Sequence, residues 1–146
     1  MFTLSELEAA ADLVHACFPA TASYVWPLLA ARAGCEVWVK HENHTPTGAF
    51  KVRGGLTYMD RRQRAGRSGG IVSATRGNHG QSLAYAGGRA GIPVTIVVPY
   101  GNSAEKNAAM RAFGARLVEH GADFDEARQH AQALAAAEGL DFAPSF

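Results

Sequence analysis

The chain contains only two cysteines, and this scarcity removes several classes of protein. Cys17 and Cys35 lack Cys-x-x-Cys spacing, so they imply neither a disulfide framework nor a zinc site. No apolar run approaches the ~20 residues of a membrane span, and the first residues lack the basic and apolar regions of a signal peptide. We therefore expect a cytoplasmic protein.

An excess of charge of either sign is also missing. The 146 residues hold 14 Lys and Arg against 13 Asp and Glu, with 47% hydrophobic residues and a net charge of +1. This balance is typical of a soluble globular protein and suggests neither a nucleic-acid nor a membrane partner. One basic cluster stands near the end of a predicted helix, at Arg61, Arg62, Arg64 and Arg67. Because a helix dipole favours cations in its last turn, we interpret the cluster as a solvated helix end rather than a binding patch.

Two common binding motifs are absent. The best candidate for a dinucleotide loop supplies only Gly77-x-x-Gly80, and no acidic residue ends the next strand. His41 and His44 flank Glu42 in a polar loop, without a further metal ligand in sight. We predict neither a dinucleotide site nor a metal site.

From Gly69 onward, short apolar strands alternate with helical segments. The predicted strands are Ile71–Ala74, Val94–Val98, Ala115–Glu119 and Leu140–Ala143, and the predicted helices are Asn78–Gly88, Ser103–Phe113 and the segment from Asp123 to Glu138. The continuous β-branched run at Val94–Val98 indicates a strand that is buried on both faces. This alternation predicts an α/β fold with right-handed βαβ units, in which a parallel twisted sheet has helices on both faces (a three-layer αβα arrangement).

The first third of the chain is less regular. Thr3 and Glu6 form a plausible capping box for a helix that runs to about Ala16. The further predictions are a helix from Pro27 closed by Gly34, a strand at Glu36–Lys40, a polar loop from His41 to Thr47, and a helix from about Ala49 to Ala65.

Lys51 is the residue with the most specific surroundings. It stands in the run Pro-Thr-Gly-Ala-Phe-Lys-Val-Arg-Gly-Gly that begins at Pro46. A lysine amine does covalent chemistry when it condenses with an aldehyde, most often that of pyridoxal phosphate (PLP). The amine must lose its proton first, which an apolar neighbour such as Phe50 favours. The alternative is a surface helix that begins after a proline–glycine turn.

A second motif, Ser-Ala-Thr-Arg-Gly-Asn-His-Gly-Gln, runs from Ser73 to Gln81 between a predicted strand and a predicted helix. Loops at the carboxyl ends of parallel strands bind ligands in α/β proteins, and the start of a helix favours anions. Gly77 allows the backbone N–H groups to approach a carboxylate closely.

Together these segments resemble a known family. Residues 40–55 are similar to the lysine segment of the fold type II PLP enzymes, the threonine/serine dehydratase and tryptophan synthase β family. Residues 75–79 resemble the Ser-x-Gly-Asn-His loop with which that family holds the α-carboxylate of its substrate. The resemblance implies that Lys51 is the catalytic lysine that binds PLP, that Phe50 lies against the ring, and that Asn78 contacts the 3′-oxygen of PLP. It assigns the substrate carboxylate to Thr75, Arg76, Gly77, Asn78 and His79.

Arg76 departs from the family pattern, which usually has a small Ala or Ser at this position. A serine there can return a proton in racemase-type members. Arginine has no dissociable proton near neutral pH, so racemisation is disfavoured. Its guanidinium suits a second carboxylate, as in a substrate like 3-hydroxyaspartate. The alternative is an Arg76 that faces solvent or is paired structurally.

The resemblance implies a PLP-dependent ammonia-lyase (dehydratase) that converts threonine, serine or a related β-hydroxy amino acid to a 2-keto acid and ammonia. It equates residues 1–50 with the first segment of the family's PLP-binding large domain and residues 51–146 with its small βαβ domain.

The C-terminal half of the large domain has no counterpart in this sequence, and the family's PLP phosphate loop belongs to that half. We therefore expect an incomplete site in the isolated chain, and a homo-oligomer or another association that covers the exposed half-sheet. One alternative is a non-catalytic truncated or split fragment that needs a partner chain. A further alternative is another fold type II enzyme, such as threonine synthase, cysteine synthase or serine racemase.

Overall fold

The computed structural model describes residues 2–145, which fall into two compact units: one extends to Phe50 and the other begins at Lys51. The first unit contains helix α1 (Leu4–His15), strand β1 (Ser23–Val25), helix α2 (Pro27–Ala33), strand β2 (Trp38–Lys40) and a 3-10 turn (Glu42–His44). None of the helices in the described part of the chain is long and apolar enough to cross a membrane.

Both predicted helices of the first unit are confirmed by their ends. The Thr3 hydroxyl accepts the N–H of Glu6 (3.3 Å), and the Glu6 carboxylate accepts the N–H of Thr3 (2.7 Å), which completes the capping box. Helix α2 begins at Pro27 and is closed by Gly34 in the left-handed conformation (φ 70°). These caps fix both helices without distant contacts, which explains why they can be read from the sequence.

Strand β1 is a feature that the sequence does not reveal. It pairs antiparallel with β2, so that Tyr24 lies opposite Val39. Three residues are too few to show the alternation that identifies a strand. The predicted strand at residues 36–40 is correct in place but shorter, and it pairs with β1, from which helix α2 separates it along the chain.

The second unit has the alternating pattern that the sequence predicts. Its elements are α3 (Lys51–Arg64), β3 (Ile71–Ala74), α4 (Asn78–Ala90), β4 (Val94–Val98), α5 (Ala104–Ala112), β5 (Arg116–Glu119), α6 (Phe124–Glu138) and β6 (Asp141–Phe142). The four strands form one parallel sheet in the order β5-β4-β3-β6, with Ile71 opposite both Val94 and Asp141. The predicted α/β fold, a parallel sheet flanked by helices, is confirmed.

Apolar side chains cover both faces of this sheet. Val72, Ala74 and Val97 pack against Ala127 and Ala131 of α6, and all five are buried. The alternate residues of β4, Val94 and Ile96, are also buried and lie against α4. A strand covered on both faces reads as an uninterrupted apolar run, which is the pattern of β4 in the sequence.

The strand order creates a switch point. The chain runs from β3 through β4 to β5 in one direction, and then α6 carries it back to place β6 on the other side of β3. Loops that follow β3 and β6 therefore diverge at one edge of the sheet. In open α/β sheets this crevice is the usual ligand site.

The interpretation of the basic cluster as a solvated helix end is wrong for Arg62. Its side chain is only 4% exposed, its guanidinium binds the Asp141 carboxylate, and it donates to the carbonyl oxygen of Gly69 (2.9 Å). Arg67 reaches the same carboxylate (2.7 Å). Asp141 lies 79 residues further along the chain, so a local argument from the helix dipole does not reveal the pair. Hydrogen bonding and charge from the two arginines, with Arg62 first, hold the pKa of Asp141 below its ordinary value.

Candidate active site

Lys51 is the first residue of α3, and its backbone is fixed by α4. The Ser82 hydroxyl donates to the carbonyl oxygen of Lys51 (2.6 Å). One turn further along, Gly55 lies so close to α4 that a β-carbon there would be 2.2 Å from the Ser82 Oγ and 2.8 Å from its carbonyl oxygen. The close approach of the two helices thus sets where the half-buried Lys51 side chain begins.

The predicted carboxylate loop follows β3 and opens α4. Thr75 is buried, its N–H donates to the carbonyl oxygen of Val97 (3.1 Å), and its hydroxyl accepts the N–H of Gly77 (3.1 Å). The first backbone bond of α4 runs from the N–H of Gln81 to the carbonyl of Gly77. The N–H groups of residues 78–80 consequently have no acceptor within the helix, which is the usual basis of an anion site at a helix start.

The imidazole of His79 is half buried beside Lys51. Burial and the positive charge of Lys51 lower its pKa to about 4, against a smaller opposing effect of a hydrogen bond with the Ala143 backbone. Its Nε2 is buried and has no hydrogen-bond partner among residues 2–145. At neutral pH the ring is uncharged, and with its other nitrogen bonded to Ala143, Nε2 is an acceptor.

An uncharged His79 ring cannot make the predicted contact with the substrate carboxylate through Nε2. A carboxylate needs donors, and Nε2 offers none. The backbone N–H of His79, in the first turn of α4, is the group that suits this contact. The ring instead presents an acceptor to the space beside the Lys51 amine.

Lys51 and His79 line the same cavity, of about 240 Å³, within the second unit. Its walls are formed by Lys51, Gly54, Gly55, Tyr58, His79, Leu83, Ala143, Pro144 and Ser145. The last three follow β6, so the cavity lies at the switch point of the sheet. Its volume is below the roughly 300–1,000 Å³ of most small-molecule pockets.

The other predicted site residues take different positions. Thr75 and Gly77 are buried in the loop, whereas Arg76 and Asn78 are exposed and do not line the cavity. Arg76 has no ion-pair partner in the described part of the chain. Its exposure is compatible both with binding of a second substrate carboxylate and with a side chain that simply faces solvent. Phe50 ends the first unit and is 61% exposed.

The sequence did not identify three residues of this region. Tyr58 and Ser145 line the cavity, and Ser82 holds the Lys51 backbone. Tyr58 lies seven residues after Lys51 in α3, and helical spacing would have placed it on the same face. Ser82 has no comparable signal, because its role depends on the packing of α4 against α3. Ser145 reaches the cavity only through the position of β6 in the sheet.

The donor set fits one end of a PLP molecule. The cavity offers a lysine amine, an uncharged acceptor in His79 and an aromatic wall in Tyr58. Lys51 is the one cation among the residues that line it, so the cavity suits the reacting aldehyde end of PLP rather than its phosphate.

Comparison with known proteins agrees with this assignment. Residues 21–146 match the family described as pyridoxal-phosphate dependent enzymes, and the chain therefore belongs to that family. The resemblance drawn from residues 40–55 and 75–79 is thereby confirmed. Members of the family are enzymes that use PLP.

Three relatives illustrate the match. The chain is 32% identical over 118 residues to the biosynthetic L-threonine dehydratase of Haemophilus influenzae, covering 81% of this chain and 23% of the relative. It is 36% identical to the L-threo-3-hydroxyaspartate ammonia-lyase of a Pseudomonas species, with 81% and 37% covered. The crystal structure of a PLP-dependent aspartate racemase superposes with a TM-score of 0.88 at 30% identity, over 98% of this chain and 45% of that one. The chain thus spans less than half the length of each.

Proposed function

We propose that this chain supplies the lysine and the carboxylate loop of a PLP-dependent ammonia-lyase that acts on a β-hydroxy amino acid. The observation that carries the proposal is the shared cavity of Lys51 and His79 at the switch point of the sheet. Membership of the PLP-dependent family and the names of two relatives, a threonine dehydratase and a hydroxyaspartate ammonia-lyase, support the reaction class.

Each residue of the site has a role in this proposal. PLP, when bound, takes up the electron pair left at the substrate α-carbon. Lys51 would hold the cofactor and take the α-proton, and the same proton, passed to the β-hydroxyl, would let that group leave as water. The released enamine hydrolyses to a 2-keto acid and ammonia. By the family resemblance, Asn78 would hold the 3′-oxygen of the cofactor and Phe50 would supply an aromatic side chain for its ring.

The carboxylate of the substrate binds at the loop that opens α4. Backbone N–H groups of the first turn, together with Thr75 and Gly77, supply uncharged donors. Arg76 adds a guanidinium at the exposed side of the loop, where it binds a second carboxylate. A 3-hydroxyaspartate-like substrate is therefore favoured over threonine or serine.

The test is release of ammonia and 2-keto acid in the presence of PLP from threonine, serine and threo-3-hydroxyaspartate. The variant Lys51→Met should lower the rate by at least about 10²–10⁴-fold, the range for loss of an acid–base group. Lys40→Met is the matched control, because Lys40 lies in the other unit and pairs with Glu42 (3.8 Å). A Lys51→Met protein as active as the control would refute the proposal.

The role of Arg76 has its own test. Arg76→Ala should lower kcat/KM for 3-hydroxyaspartate by about 10- to 100-fold, as expected for one lost hydrogen bond to a charged group. The value for threonine should stay unchanged, since threonine has no second carboxylate. Equal losses on both substrates would contradict the assignment.

A second candidate function is that of a non-catalytic part that becomes active only with a partner chain or another copy. The cavity of about 240 Å³, smaller than most small-molecule pockets, favours it. A chain that binds PLP at Lys51 but releases no ammonia from any of the three amino acids would support this candidate. Measurable turnover by the chain alone would exclude it.

A further inference from the structure

A lysine from the neighbouring βα connection lies across the carboxylate loop. Lys106 is in the first turn of α5, which follows β4, and β4 is the parallel neighbour of β3. A β-carbon on Gly77 would lie 2.6 Å from the Lys106 Cδ and 2.8 Å from its Nζ. The ammonium therefore lies against the backbone of Gly77, and the absence of a side chain there makes room for it.

The charge of Lys106 has no structural explanation. A cation in the first turn of a helix opposes the helix dipole, and the loop that Lys106 crosses leads into the start of a second helix, α4. No carboxylate of residues 2–145 lies within 4 Å of its amine, and the nearby Arg76 is also cationic. Yet Lys106 is half buried rather than extended into water. A bound anion at the loop would balance this charge.

We infer that Lys106 is a substrate-binding residue whose ammonium pairs with the α-carboxylate of the amino acid at residues 75–79. The inference rests on the proposed function and adds to it a residue that neither of the two sequence motifs contains. It also gives the two cations near the loop different roles. Arg76 binds a second carboxylate that only some substrates have, whereas Lys106 binds the carboxylate that every amino acid has.

The test compares L-threonine with L-threonine amide, which keeps the side chain and amine but lacks the carboxylate. Backbone amide shifts of Gly77, Asn78 and His79 are followed by NMR while each compound is added to the cofactor-free chain. In the unaltered protein, threonine should bind at least about 10-fold more tightly than its amide. In Lys106→Met this preference should fall to about one, and Lys106→Arg should restore most of it.

Two results would overturn the inference. If Lys106→Met weakens threonine and its amide equally, so that the preference persists, Lys106 only positions the loop. If the unaltered chain shows no preference for threonine, the loop does not bind the carboxylate. Lys40→Met, a surface lysine of the other unit, is the control for a general effect of lost charge. Superposable amide shifts outside the loop show that each variant is folded.

The outcome is separable from that of the proposed function. Attachment of PLP to Lys51 requires no carboxylate and should be unchanged in Lys106→Met. A lost threonine preference with no cofactor attachment would support the role of Lys106 and refute the PLP chemistry. Normal attachment of PLP to Lys51, with an unchanged preference for threonine over its amide in Lys106→Met, would support the PLP chemistry and refute the role of Lys106.

Discussion

At the residue scale, the uncharged state of His79 distinguishes this site from a simple cluster of cations. Lys51, Arg76 and Lys106 all carry or can carry positive charge, and a protonated His79 would add a fourth. Burial and the charge of Lys51 instead keep the imidazole neutral. The ring is thus able to accept a hydrogen bond from the amine or from a substrate hydroxyl.

This state makes a prediction that NMR titration of the ring protons can check. His79 should titrate near pH 4, and Lys51→Met should raise its pKa, because a repelling charge is removed. The value should remain below the ordinary 6.5, since burial is the larger cause. An unchanged pKa in Lys51→Met would show that the two groups do not interact.

The lowered pKa of His79 also makes the stability of the fold depend on pH. Between about pH 6.5 and 4 the unfolded chain binds a proton at His79 that the folded chain does not. The free energy of unfolding should therefore fall as the pH drops through this range. His79→Gln should flatten this part of the profile in urea unfolding, and an equally steep profile would contradict the buried neutral ring.

Much of the site at this scale is visible in the sequence. The sequence predicts residues 75–79 and Lys51 as candidate site residues because each stands in a contiguous motif, and Lys51 and His79 line one cavity. The sequence did not identify Lys106 or Ser82, because neither lies within the two motifs and each contacts a motif residue from a different element. Their contribution depends on the parallel pairing of β3 with β4 and on the contact of α3 with α4.

At the element scale, the start of α3 is positioned by its contact with α4. Gly54 and Gly55 are adjacent in α3 but differ in surroundings: a β-carbon at Gly55 meets the Ser82 backbone, whereas one at Gly54 meets nothing within 4 Å. Gly55→Ala should lower the free energy of unfolding by about 1–3 kcal/mol, as overpacking does.

Gly54→Ala is the matched control for this pair of glycines. It should leave stability unchanged or raise it by up to about 1 kcal/mol, because alanine is the better helix former. Denaturant unfolding of both variants provides the comparison. Equal effects of the two substitutions would mean that α3 does not approach α4 as closely as described.

The elements themselves were predictable to different degrees. Helices α1 and α2 carry their own end signals, and β4 shows an uninterrupted apolar run, so all three follow from local sequence. Strand β1 is three residues long, and its existence depends on pairing with β2. The ion pair between the buried Arg62 and the partly exposed Asp141 likewise joins elements that are far apart in the chain.

At the scale of the whole molecule, the candidate site lies within one of the two units. The second unit holds Lys51, the carboxylate loop, Lys106 and the cavity, whereas the first ends with Phe50. Lys51 and the residues that contact it therefore belong to one continuous part of the chain.

The most direct test of this account is the location of the cofactor on the chain. The sequence contains three lysines, Lys40, Lys51 and Lys106, so the result is simple to assign. The protein is incubated with PLP, reduced with borohydride and digested, and the pyridoxyl mass is located by mass spectrometry. We expect the label on Lys51 and its loss in Lys51→Met. Labelling spread equally over the three lysines, or no label at all, would contradict the central claim that Lys51 binds the cofactor.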